Sequence, residues 1–231
     1  MAKPQIGILA GMGPRSTAPF VDAVVSKCQE LYGAKLDEEF PEMNILSLPT
    51  PFYVDRAIDH DAMKERIVGG LRKLEASGSS FVSMPCNSAH AYFKELSQSI
   101  KIPLLNIVEE TLGQLREGQR TTVLATRGTM ASRLYQIGIT KAGLEYEFNP
   151  DWQDLVDTVV SAVKAGDIQG SASGTWDQLI THLQALGVNQ AVIACTDINA
   201  VLPYCKTDIA FVDSTECLAQ ATVRQYLKLR E

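Results

Sequence analysis

Short apolar runs alternate with amphipathic stretches along the whole chain. Residues 6–10 are apolar around a single glycine, which predicts a parallel strand buried on both faces. Gly11-Met12-Gly13-Pro14 reads as a loop, and Ser16 and Thr17 stand where a helix would be capped. Phe20, Val21, Val24, Val25 and Cys28 then recur at helical spacing. A strand is predicted over 43–48, ended by Pro49-Thr50-Pro51. A helix over 63–75 carries Ile67, Leu71 and Leu74 on one face. Strands over 79–84 and 104–107 flank a helix over 88–97.

The pattern restarts at a strand over 121–125. A helix through Leu134 and Tyr135, a short strand over 146–148 and helices over 151–165 and 175–186 follow. Strands over 191–194 and 210–212 and a closing helix over 217–229 complete the chain. Strands alternating with helices predict an α/β fold of parallel sheets flanked by helices. The order strand, glycine-containing loop, helix and later strand-cysteine occurs twice, which predicts two similar lobes. The expected division is 1–115 with 208–231 for the first lobe and 116–207 for the second. Residues 115–120 would form the hinge, and the last helix would pack back on the first lobe.

Composition narrows the function. The chain of 231 residues carries a formal net charge of −6 with no Lys/Arg run, which argues against a nucleic-acid partner or an anionic membrane. Five cysteines form an odd set without a CxxC pair, and only three histidines are present, so neither a disulfide scaffold nor a zinc site is expected. No signal peptide or membrane span is visible, and a cytoplasmic enzyme with reduced thiols is the simplest class.

The candidate chemistry lies in two cysteines. Cys86 and Cys195 each follow an apolar run and precede a polar pair, Asn87-Ser88 and Thr196-Asp197. Strand-to-helix turns are where open α/β sheets present reactive groups. A thiolate can take a proton from carbon and a thiol can return one. Two of them on opposite faces would invert a stereocentre. A helix start after each cysteine is expected to lower its pKa. Cys28, Cys205 and Cys217 read as buried apolar residues. The glycines of the first loop lack both GxGxxG spacing and a Lys-Ser/Thr pair, so nucleotide binding is not expected.

These residues resemble the aspartate/glutamate racemase family of cofactor-independent amino-acid racemases. Gly11-Met12-Gly13-Pro14 with Ser16-Thr17 is similar to the family's N-terminal loop. Pro85-Cys86-Asn87-Ser88-Ala89-His90 and Ala194-Cys195-Thr196-Asp197 are similar to its two cysteine motifs. Asp55-Arg56 stands where the family places an arginine, Val163-Lys164-Ala165-Gly166 matches a helix end, and Ala125-Thr126-Arg127-Gly128-Thr129 matches an anion loop. The resemblance implies two flavodoxin-like lobes with the active site in the cleft between them. It makes Cys86 and Cys195 the base and acid. Asn87, Ser88 and Thr196 would hold the α-carboxylate and ammonium, supported by Thr129. Arg56 and Lys164 would meet the side-chain carboxylate of aspartate or glutamate. Met12 and Asp197 complete the substrate-binding set, Met12 through packing of its loop. No metal and no cofactor are implied, the partner is a small amino-acid substrate, and a homodimer is expected.

Three positions depart from the family's pattern. Ser88 replaces threonine and keeps the hydroxyl. Asp197 replaces glutamate and is one methylene shorter. Arg15 replaces a small apolar residue and would either favour an acidic or longer side chain or lie in solvent. Maleate isomerases and arylmalonate decarboxylases share the scaffold, but the decarboxylases generally keep one cysteine, so the pair here favours racemisation. A dicarboxylate cis-trans isomerase and a non-catalytic amino-acid binder are the alternatives.

Overall fold

The computed structural model describes residues 3–51 and 59–230. The chain forms two compact units, residues 1–107 with 218–231 and residues 108–217.

In the first unit β1 (Gln5–Ala10) is central, with the all-apolar side chains of Ile6, Ile8 and Leu9 fully buried. The chain leaves it through α1 (Thr17–Tyr32) to β2 (Glu42–Ser47), then through α2 (His60–Ala76) to β3 (Phe81–Ser83) on the other side. All pairings are parallel and the order is β2-β1-β3. Leu9, Ile67, Leu71, Val82, Met84 and Leu96 build the core between the sheet and α2, the last from α3 (Phe93–Gln98).

Local chemistry moves several predicted boundaries. Ser16 does not cap α1, because its hydroxyl donates to Gly13 O (2.7 Å) in a turn that precedes the helix. The α2 helix starts earlier than 63, because the Asp59 carboxylate accepts from the N–H groups of Asp61 and Ala62 at 3.1 and 3.0 Å. The strand expected over 104–107 shrinks to one bridge, Val82 to Leu104. Val82 N–H bonds Pro103 O and Leu105 N–H bonds Val82 O, after which the chain enters α4 (Ile107–Leu112).

The second unit repeats the plan. β4 (Arg120–Leu124) leads through α5 (Arg127–Ser132) and α6 (Leu134–Lys141) to β5 (Glu145–Tyr146). The helices α7 (Pro150–Ala165) and α8 (Ser173–Ala185) then lead to β6 (Gln190–Ile193). β7 (Ala210–Asp213) and the start of α9 (Ser214–Arg230) follow, the helix counting with the first unit from Leu218 onward. The parallel sheet has the order β5-β4-β6-β7. Asn149 caps α7 by accepting from Asp151 N–H (3.0 Å), Pro150 occupies the first turn, and Gly166 ends the helix at φ 86°. Trp152, Val156, Trp176, Leu179 and Leu183 pack α7 and α8 against Ile193.

The expected division assigned 208–231 to the first lobe. β7 instead pairs with β6 over Gln190↔Ala210 to Ile193↔Asp213, so residues 208–217 belong to the second unit. The first crossover falls at 107/108, ahead of the expected hinge at 115–120. Among the described residues no helix is long and apolar enough to cross a membrane, and no group of three or more metal-ligating side chains occurs.

Candidate active site

Each sheet has its first strand between its second and third, so the second and third strands are laid down on opposite sides of the first. In open α/β sheets ligands bind beyond the carboxyl ends of the strands at such a reversal. In the first unit those ends are Ala10, followed by Gly11-Met12-Gly13, and Ser83, followed by Met84-Pro85-Cys86. In the second they are Leu124, followed by Ala125-Thr126-Arg127, and Ile193, followed by Ala194-Cys195. Both predicted cysteines thus occupy the same topological position.

Cys86 lies in a tight turn that donates its N–H to Met84 O (2.8 Å). It is partly buried and, like Met12, packs against the first core. Asn87 is buried and its carbonyl accepts from His90 N–H (3.1 Å), opening a 3-10 turn over Ser88–Tyr92. The α-helix expected directly after the cysteine begins only at Phe93. His90 fixes this turn. Ile107 N–H donates to its Nε2 (3.3 Å), so Nδ1 carries the proton and donates to Cys86 O (2.8 Å). The ring also stacks on Phe93 at 5.6 Å.

This geometry carries a prediction. Burial holds the His90 pKa below its ordinary 6.5. The folded chain therefore binds that proton more weakly than the unfolded one. The contribution of His90 to stability is complete above about 6.5 and declines as pH falls below it. His90→Phe keeps the stacking surface but removes the hydrogen bonds to Cys86 O and from Ile107 N–H. Urea unfolding at pH 7 should show a loss of about 2–4 kcal/mol, with this acid-side decline removed. An unchanged midpoint would contradict the assignment.

In the second unit Cys195 is 9% exposed and opens a 3-10 run through Ile198–Ala200 rather than an α-helix. Its thiol points at Asp197 Oδ2 at 4.0 Å, and Lys164 Nζ approaches the same oxygen at 3.7 Å. Asp197 therefore does not act as a side-chain cap; it joins Lys164, at the end of α7, to the cysteine loop. Thr196, next to the thiol, is partly buried. Thr129 is buried with its hydroxyl 3.2 Å from that of Thr126, which caps α5. Arg127 in the same loop is engaged by Asp154 and Asp157, both at 2.5 Å. Gln153 of α7 ties the loop by donating to Ala125 O (3.0 Å).

The electrostatics reverse one expectation. Both thiols were expected to be lowered by helix starts. Burial instead pushes the Cys86 thiol up, and the N–H groups of Ala89 and Ser88 oppose it only in part. Burial also pushes Cys195 up to about 12; the Asp197 charge adds to the rise, while N–H groups of Asp197 and Ile198 and the Lys164 charge oppose it. Short 3-10 turns supply two N–H groups each, too little to outweigh desolvation.

Met12, Cys86, Asn87 and Ser88 fall in the first unit and Thr129, Lys164, Cys195, Thr196 and Asp197 in the second, where Asp197 contacts both Cys195 and Lys164. Arg15 is exposed. Arg56, with Asp55, lies outside the described residues. From the sequence His90 reads as a residue that orients the helix or tunes Cys86; sequence reasoning passed over Asn199, four positions after Cys195, and Asp213. The pattern Asp213-Ser214-Thr215-Glu216 was a readable helix-start signal, since α9 begins at Ser214 rather than 217.

The Asp/Glu/hydantoin racemase family model matches residues 9–222. The chain is similar to the broad specificity amino-acid racemase RacX of Bacillus subtilis, at 43% identity over 223 residues, 96% of this chain and 98% of that protein. Among solved structures it is similar to the aspartate racemase of Picrophilus torridus, with a TM-score of 0.81 at 24% identity, covering 98% of this chain and 99% of that one. It is also similar to a Francisella tularensis glutamate racemase in complex with D-glutamate, with a TM-score of 0.69 at 14% identity, covering 99% of this chain and 84% of that one. At these identities the two structures bear on the fold, two parallel sheets flanked by helices.

Proposed function

The chain belongs to the Asp/Glu/hydantoin racemase family, and from that premise we propose that it interconverts the enantiomers of amino acids without a cofactor, using Cys86 and Cys195 as paired base and acid. The observation that carries this reading is the equivalent placement of one cysteine at the strand-order reversal of each sheet. In the reaction one sulfur enters as thiolate. It takes the α-proton, the Cα–H bond breaks, an S–H bond forms, and the electron pair spreads into the substrate carboxylate. The other sulfur, a thiol, delivers its proton to the opposite face and becomes the thiolate. The enantiomer leaves with the two sulfurs exchanged in role, so the reverse reaction uses the same machinery.

Because burial raises both thiols, the protonated form dominates at neutral pH, and a charged substrate has to shift that balance. An ammonium group beside a sulfur favours the thiolate. Asn87, Ser88, Thr129 and Thr196 supply the polar groups for the α-carboxylate and ammonium, and Met12 packs its own loop on the core of the first unit.

The substrate class is broader than aspartate and glutamate. Lys164 would recognise an acidic side chain, yet Asp197 stands against it at 3.7 Å and offsets its charge. The name of the Bacillus subtilis relative, broad specificity amino-acid racemase, supports the same reading. Chiral chromatography of an amino-acid panel incubated with the reduced protein tests it. Racemisation of several neutral or basic amino acids at rates at least equal to that of aspartate is expected. Turnover of aspartate or glutamate alone would contradict the broad class.

A further inference from the structure

Each cysteine loop carries a hydrogen-bonding side chain four positions after its cysteine, but the two act on different partners. Four positions after Cys86, His90 grips the Cys86 carbonyl. Four positions after Cys195 stands Asn199, whose Nδ2 donates to Asp213 Oδ2 at 2.8 Å. The Oδ1 of the same amide is buried without a hydrogen-bond partner among the described residues, so the side chain holds by that bond. Asp213 ends β7 and is the register partner of Ile193, two residues before Cys195. Its other oxygen, Oδ1, accepts from Thr215 N–H at 2.8 Å at the start of α9. One carboxylate therefore joins the sheet edge, a helix start and the cysteine loop.

The loop needs such a hold. Between Cys195 and Ala200 its backbone is secured by successive three-residue bonds, Ile198 N–H to Cys195 O (3.1 Å), Asn199 N–H to Thr196 O (3.3 Å) and Ala200 N–H to Asp197 O (3.3 Å). Runs of this kind are short and their hydrogen bonds poorly aligned. Asn199 lies inside the run, so a fixed Asn199 side chain fixes the turn that begins at Cys195.

We propose that Asp213 and Asn199 are positioning residues for Cys195, holding its turn so that the thiol stays aimed at the carbon it protonates and deprotonates. The inference rests on the reading of Cys195 as an acid/base group. Burial raises the Asp213 carboxyl to about 6, which leaves it ionised and accepting at neutral pH.

Asn199→Ala tests the clamp while leaving the Asp213 contact to α9 in place, and Asn199→Ser is the milder second variant. Two readouts are taken on the full chain. The first is iodoacetamide alkylation of Cys195 and Cys86, followed by peptide mass spectrometry. Cys195 should change its rate about tenfold in Asn199→Ala as its surroundings loosen, with Cys86 steady as the internal control. The second is deuterium exchange at the α-carbon, measured separately for each enantiomer of an amino acid that the wild type turns over. A thiol displaced by about 1 Å should slow exchange about 10²-fold for the enantiomer deprotonated by Cys195. Exchange of the opposite enantiomer should persist, and inversion should fall for both. A merely structural role would lower both exchanges together. Equal losses for the two enantiomers, or an unchanged Cys195 alkylation rate, would overturn the clamp. Absence of exchange by the wild type across a full amino-acid panel would instead overturn the racemase reading, and with it the catalytic role of the clamp; the alkylation ratio would still report whether Asn199 governs Cys195.

Discussion

Cys86→Ser and Cys195→Ser are each expected to lower inversion of an amino acid by about 10³-fold, within the range that positioned acid–base groups contribute. Serine is close to cysteine in size and keeps the local packing, so thermal midpoints should change little. Its hydroxyl, however, ionises far less readily than a thiol. The two variants should fail in mirror fashion. With Cys195 replaced, the enantiomer deprotonated by Cys86 still exchanges its α-proton while the other does not. With Cys86 replaced, the pattern reverses. The double variant should be no slower in inversion than the weaker single one by more than a small factor, since the two groups act as a unit. Inversion within tenfold of wild type in either single variant would contradict the paired mechanism.

Gly11→Ala is expected to cost about 3–5 kcal/mol, the upper part of the range for single substitutions. Gly11 has φ 90°, where a side chain is strained. A Cβ there would meet backbone as well, lying 2.9 Å from both Leu48 O and Ser47 C. Neither can yield cheaply, because Leu48 N–H bonds Ala10 O at 2.9 Å where β1 passes into the Met12 loop. Gly69→Ala is the matched control. Gly69 lies in α2 with open space around its Cβ, and alanine there should stabilise by up to about 1 kcal/mol. Urea unfolding of the two variants checks both signs. A loss below about 1 kcal/mol for Gly11→Ala would show that the loop relaxes around the methyl group.

The parts of the fold legible in the sequence were those written as local pattern. Residues 6–10, around one glycine, and 191–194 are apolar because β1 and β6 are covered on both faces, and the structure holds both strands, the second shifted by one residue to Gln190–Ile193. That polar residue joins the buried strand because its amide donates to Thr121 Oγ1 (2.9 Å) and accepts from Arg116 N–H (3.0 Å), a pairing between distant positions. Strand register was not legible. Nothing within residues 208–213 says that they pair with β6, and the nearby final helix drew them toward the wrong unit. The cysteine positions were readable because strand-to-loop punctuation marks them. Their ionisation was not, because burial depends on the whole packed core and outweighs the two or so N–H groups that local sequence suggests. Likewise Asp197 reads locally as a cap, and only folding shows that Lys164 at the end of α7 reaches its carboxylate.

Proton NMR in D₂O, with the reduced protein and no added pyridoxal phosphate, tests the central claim most directly. L- and D-enantiomers of a neutral, a basic and an acidic amino acid would each be followed for loss of the α-proton signal. The account predicts loss from both enantiomers of at least one amino acid with wild type, and loss from opposite single enantiomers with Cys86→Ser and Cys195→Ser. Undiminished exchange of both enantiomers in the two variants, or no exchange by folded wild type with any of the amino acids, would contradict a racemase that works through these two thiols.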